Sequence, residues 1–164
     1  MISVSMQKTM NEQINKELFS SYLYLSMAAW FESKNLSGFA KWMQVQAEEE
    51  YEHAMKFFGH IVDRGGKVEL KAIAAPQVDW KSNLDVVKQV LEHEQFVTAS
   101  INALYEQALS EKDYPAQIML QWFVTEQVEE EKNAGDLIYQ VNAVENKESA
   151  LMMLDHQLGM RQAD

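Results

Sequence analysis

Six polar side chains fall where long amphipathic helices should be dry: Glu17, Glu50, His53, Glu94, Gln127 and Glu130. Each lies on an inward heptad stripe among apolar neighbours. Glu17 stands between Met10, Ile14 and Tyr24, Ala28, Phe31. Glu50 and His53 stand between Phe39, Met43 and Phe57. Glu94 interrupts Leu84, Val87, Leu91 and Ile101, Tyr105. Gln127 and Glu130 interrupt Leu120, Phe123 and Ala134, Leu137. Ionised carboxylates in an apolar interior are costly unless compensated, and the inward positions supply no Lys or Arg. Either the carboxylates keep protons at raised pKa, or a cation sits among them.

The residue types narrow the cation. Carboxylates with one imidazole and no sulfur suit iron or manganese, and zinc also fits. Glu50 and His53 are three apart, so one helical turn presents both to one ion. Paired-metal bundles draw one Glu from each of two helices and Glu-x-x-His from the other two. Here Glu17 and Glu94 are the single carboxylates, and Glu50-Tyr51-Glu52-His53 is one Glu-x-x-His. Gln127-Val128-Glu129-Glu130 stands in place of the second. Two unequal sites are expected: Glu17, Glu50 and His53 at one, and a bridging Glu50 with Glu94 and Glu130 at the other, weaker for want of imidazole.

These residues need long helices to carry them. Five helical segments are expected, from about Ser5 (as N-cap) to Lys34, Ser37 to Arg64, Ser82 or Asn83 to Lys112, Asp113-Tyr114-Pro115 to Val144, and Lys147 to Leu158. Asn35 and Gly65-Gly66 read as terminators, and Pro115 suits a first helical turn. Four of the segments far exceed the usual ~11–12 residues. Short links at Asn35-Leu36 and Asp113 make antiparallel neighbours. The link from Gly65 to Lys81 is long enough, at about 3.3 Å per residue, to return along the whole bundle. The expected fold is all-α: a four-helix bundle with one long crossover and a short fifth C-terminal helix, a single domain over residues 1–164. The polar groups lie near the helix midpoints, so they converge at one level.

The bulk composition agrees. Of 164 residues 47% are hydrophobic, with two prolines and six glycines, enough for one sizeable core with few breaks. A formal net charge of −11 repels phosphate backbones, so nucleic acid is not an expected partner. With no cysteine, disulfides, thiolate zinc sites and iron–sulfur clusters are excluded. Met1 to Ser5 lacks a basic stretch before an apolar run, and no uninterrupted apolar stretch is long enough to span a bilayer. No membrane partner and a cytoplasmic location are the default expectations.

Several stretches resemble the bacterial non-haem ferritins over essentially the full length: Asn15-Lys16-Glu17-Leu18-Phe19-Ser20-Ser21-Tyr22-Leu23-Tyr24, Glu48-Glu49-Glu50-Tyr51-Glu52-His53-Ala54-Met55-Lys56, Trp122-Phe123-Val124, and Glu126-Gln127-Val128-Glu129-Glu130-Glu131. The resemblance implies a ferritin-like fold. It implies a ferroxidase centre on Glu17, Glu50, His53, Glu94, Gln127 and Glu130, with Tyr24 beside it. It implies a third iron site on Glu49, Glu126 and Glu129, sharing Glu130. Two irons per centre, dioxygen or peroxide as oxidant, and a homo-oligomeric shell of 24 subunits storing ferric mineral follow from the same resemblance. Haem is not expected, because Tyr51 occupies the position of the methionine that follows the second-helix Glu in haem-carrying relatives. The threefold-pore carboxylates of animal ferritins align with Gln117 and Leu120.

Helix 1 also carries Phe19, Leu23, Met27 and Trp30 off its inward stripe. Left wet, that surface would be costly, and it is expected to bury against a neighbouring subunit. The apolar fifth segment (Leu151, Met152, Leu154, Leu158) is likewise expected to pack. The methionines are read as core filler.

Overall fold

The computed structural model describes residues 1–162, and all regular structure among them is helical. The helices are α1 (Val4–Ser33), α2 (Ser37–Asp63), α3 (Asn83–Ser110), α4 (Tyr114–Val144) and α5 (Glu148–Leu158). α1 packs along α2 and α3 along α4, and α1 meets α3. This is a pair of helical hairpins joined by a crossover, with α5 lying across α2 and α4.

The helix ends have local causes. The N-cap of α1 is Ser3, not Ser5, its Oγ accepting from the Met6 N–H at 2.9 Å. Ser3 also donates to Glu111 at 2.5 Å, a tertiary contact that selects it. Asn35 ends α1 at φ 58°, a left-handed conformation that asparagine tolerates. Asp113 caps α4 by accepting from Ala116 N–H at 3.1 Å and holds Arg64 Nη1 at 2.7 Å.

Apolar packing is split into two clusters. One gathers Tyr24, Met27, Phe31, Phe39, Met43 and Leu137 with their neighbours. The other gathers Met6, Met10, Ile14, Phe57, Leu120 and Phe123 with theirs. Between them lie Glu17, Gln46, Glu50, Glu94, Gln127 and Glu130, all buried. The heptad pattern of apolar ends around a polar middle is thus the layout of the bundle.

The second face of α1 is covered differently from expectation. Leu23, Met27 and Trp30 are buried within this one chain. The crossover covers part of that face: Trp80 packs edge-on against Trp30 at 5.9 Å, and Trp30 Nε1 donates to Asp79 at 3.0 Å. Polar residues of α1 hold the extended segment along its length. Asn11 Nδ2 donates to Lys67 O and its Oδ1 accepts from Glu69 N–H, Asn15 donates to Ala72 O, and Ser26 to Gln77 O. These bonds fasten the extended segment, whose backbone has no ladder of its own, along α1. Leu23, Met27 and Trp30 are thus covered by the chain itself, and Phe19 packs beside them only partly buried. Leu120 is fully buried in the bundle core, as its place on the inward stripe requires.

α5 packs through Leu154 and Leu158. It lies so close to the start of α2 that a Cβ on Gly38 would stand 1.6 Å from Asp155 O. Asp155 Oδ1 accepts from Phe39 N–H at 3.0 Å, supplying the cap that Leu36 at the N-cap position of α2 cannot.

Candidate metal centre

Two antiparallel hairpins bring the midpoints of their four helices together, and the polar groups meet there. Glu17, Glu50 and His53, all buried, each offer a ligand atom within 4.8 Å of the others. His53 Nδ1 is 3.4 Å from Glu50 Oε2. His53 also belongs to a second group with Glu126 and Glu130, again within 4.8 Å. Its two ring nitrogens thus face two carboxylate sets, Nε2 lying 4.0 Å from Glu126.

Glu94 belongs to neither tight group. Its Oε1 accepts a very short hydrogen bond from the Tyr24 hydroxyl, and its Oε2 accepts from Gln127 Nε2 at 3.2 Å. Gln127 also donates toward Glu94 O and Thr98 Oγ1. Tyr24 and Gln127 therefore act on Glu94, as a hydroxyl and an amide pinning one carboxylate. Glu130 Oε2 accepts from Gln46 Nε2 at 2.8 Å. Glu49, Glu126 and Glu129 line an outer cavity of about 300 Å3 that His53, Lys56, Trp122, Asn133 and Arg161 also border.

Sequence reasoning missed the support beneath Glu17. Gln13, buried, donates from Nε2 to Glu17 Oε1 at 2.8 Å. Ser100 Oγ donates to Gln13 Oε1 at 2.6 Å, and Lys16 Nζ donates to Ser100 at 2.5 Å. An ammonium group can only donate, so every bond in this chain runs one way and the Gln13 amide is fixed with its NH2 toward Glu17. Gln13 lies one helical turn before Glu17, the only hint in the sequence. Ser100 comes from α3 and could not be placed by pattern.

The electrostatics are those of carboxylates without enough positive charge. Burial raises Glu17 to about 7, countered by the Gln13 hydrogen bond, with Glu94 pushing up and Lys16 down. Burial likewise raises Glu94 to about 7 and Glu130 to about 8. Glu50 is driven well above the usual carboxylate range, first by burial and then by the charges of Glu94, Glu17 and Glu130. Burial lowers His53 to about 4, so its imidazole is neutral near pH 7 and keeps a lone pair for a metal.

Among the described residues, three buried side-chain oxygens lack a hydrogen-bond partner: Glu17 Oε2, Glu50 Oε2 and Gln46 Oε1. Unpaired buried oxygens are costly. Two of them belong to the Glu17–Glu50–His53 group, so the donor set fits a divalent cation.

Fold and centre together define a carboxylate-rich metal-binding helical bundle. A family model described as "Ferritin-like domain" matches residues 7–144. A bacterial non-heme ferritin of Bacteroides fragilis is 40% identical over 161 residues, covering 98% of this chain and 100% of that one. A bacterial non-heme ferritin of Campylobacter jejuni is 38% identical over 155 residues, covering 94% and 93%. Among solved structures, an open pore ferritin from the hyperthermophilic archaeon Archaeoglobus fulgidus superposes with a TM-score of 0.97 at 46% identity, over 99% of this chain and 100% of that one. A closed form engineered from the A. fulgidus ferritin gives 0.98 at 45%, over the whole of both chains. The chain belongs to the ferritin family.

Proposed function

We propose that this ferritin stores iron and is a ferroxidase, taking Fe(II) as substrate at the mid-bundle centre and passing Fe(III) to a mineral inside a shell of 24 copies. The observation that carries this reading is the pair of unpartnered buried oxygens, Glu17 Oε2 and Glu50 Oε2, beside the neutral imidazole of His53. Glu17, Glu50 and His53 hold the first ferrous ion. Glu50, Glu130 and Glu94 hold the second, with Gln127 and Tyr24 orienting Glu94 from behind. Glu49, Glu126 and Glu129, with Glu130, take iron at an outer site. Each ferrous ion gives one electron to dioxygen or peroxide. Entering cations displace protons from the raised carboxylates, so charge in the centre changes little.

Assembly is supported by apolar side chains exposed on the single chain, among them Tyr22 at 49%, Leu25 at 48%, Ile118 at 70% and Tyr139 at 77%. Among the described residues no helix is long and apolar enough to cross a membrane, and we place the shell in the cytoplasm.

Stopped-flow Fe(II) oxidation with Glu50→Ala tests the centre. The variant should oxidise iron at least about tenfold more slowly, and a parental rate would sink the assignment. An anaerobic Fe(II) titration should count two or three sites per subunit, and size-exclusion mass measures the shell.

A further inference from the structure

The outer cavity beside His53 already holds a positive group of the chain's own. Arg161, three residues beyond the end of α5, reaches back so that Nη2 lies 2.6 Å from Glu49 Oε2. Both side chains are mostly covered, at 18% and 15% exposure. The guanidinium lies over the Trp42 ring, 4.5 Å from its centroid, and Nη1 is 3.5 Å from Trp42 O. Arg161 is therefore seated by an aromatic face, a carbonyl and a carboxylate. Its position is set by α5, which Asp155 and Gly38 lock onto α2. With Asn133, it also forms a shared wall between the outer cavity and a second one of about 430 Å3, which Trp42, Asp136, Gln140 and Met160 border.

We infer that Arg161 is a built-in counter-cation and gate for the outer site, which a divalent ion must displace from Glu49 in order to bind there. The inference rests on the reading of the outer carboxylates as an iron site. Arginine stays charged at any working pH and grips carboxylate through a rigid fork. It thus offers positive charge where Glu49, Glu52, Glu126, Glu129 and Glu130 crowd one cavity. Lys56, the other cation bordering that cavity, stands 4.2 Å over the Trp122 ring. A metal bound through Glu49 meets the guanidinium as a like charge at close range and drives it out. Weak, exchangeable occupancy of the outer site follows, and the segment after α5 moves when the site fills. Arg161 reaches the inner pair only by its charge on the shared Glu130, whose carboxyl it pulls down, so the inner pair feels its displacement less than the outer site does.

The test is anaerobic calorimetric titration of the assembled protein with Zn(II), a redox-inert probe, and then Fe(II), for the parent, Arg161→Gln and Arg161→Lys. Arg161→Gln should bind the outer equivalent about three- to tenfold tighter, the scale of one charge-assisted contact, with the inner equivalents changing less than the outer one. Arg161→Lys, which keeps the charge without the fork, should fall between. Amide deuterium uptake of the 158–162 peptide should rise in the parent when the outer equivalent is added and not before. Equal or weaker outer binding in Arg161→Gln overturns the gate and leaves Arg161 as an organiser of Glu49. Absence of an outer equivalent from all three proteins overturns the outer-site reading and the gate with it.

Discussion

Gln13 and Glu17 face each other one turn apart on α1, and the 2.8 Å bond between them settles which carboxylate oxygen is left for a ligand. Oε1 is taken, and Oε2 is buried without a partner. The orientation traces to Lys16, whose charge fixes the direction of the chain through Ser100. Residues that orient a metal ligand typically matter about 10–100-fold in affinity. Gln13→Leu should therefore weaken anaerobic binding of the first Fe(II) by about tenfold. Ser100→Ala should cost less, about threefold, and Ser100→Thr should restore it. Parental affinity in Gln13→Leu would show that the bond organises nothing.

The raised carboxylates make a prediction about pH. Glu17 and Glu94 near 7 and Glu130 near 8 stand above their ordinary 4.5. The folded, metal-free chain binds these protons more tightly than the unfolded chain. Their contribution is fully present below about pH 4.5 and is lost as pH rises through 7 and 8. Thermal melting of the metal-free protein should show a Tm that falls between pH 6.5 and 8, above the range in which the buried His53 and His93, lowered to about 4, add stability as pH rises. Saturating Zn(II) should reverse most of that loss at pH 8. A metal-free Tm that rises across this window would contradict the burial of ionisable carboxylates.

Gly38 is a packing requirement, not a turn. A methyl group there would overlap Asp155 O, so α5 must shift or α2 must lose its cap. Gly38→Ala should destabilise the chain by about 3 kcal/mol, measured by denaturant unfolding. Deuterium uptake across α5 should rise with it. Unchanged protection of α5 would mean that the close approach is easily relaxed.

Asp113 joins two roles at the α3–α4 turn, capping α4 and pairing with Arg64 from the end of α2. Burial alone would raise its carboxyl, but Arg64 and the Ala116 N–H hold it below the usual range. Asp113→Ala leaves a cap open and a largely covered guanidinium unpaired. A loss of about 2–4 kcal/mol in unfolding free energy is expected. Asp113→Asn, which keeps the cap, should lose less.

The periodicity of the sequence determined a great deal. Apolar residues at helical spacing require long helices, and polar residues at four midpoints require a shared centre, because bundled helices of similar length meet at one level whichever way they run. Glu17, Glu50 and His53 follow from that logic and do come together. Periodicity says which face of a helix is dry, but not what covers it. Trp30 and Met27 looked like an interface, yet both are buried within the chain, where Trp80 of the crossover packs on Trp30. Side-chain direction also lay beyond pattern. Glu94 sits on the expected stripe, but Tyr24 and Gln127 hold its oxygens outside both tight groups, whereas Glu126 joins His53 and Glu130. The choice of Ser3 over Ser5, the Ser100 link to Gln13 and the return of Arg161 to Glu49 share one cause. Each depends on contacts between residues about 80 or more positions apart, such as the |i−j| of 112 between Arg161 and Glu49. Only folding decides which distant partner arrives.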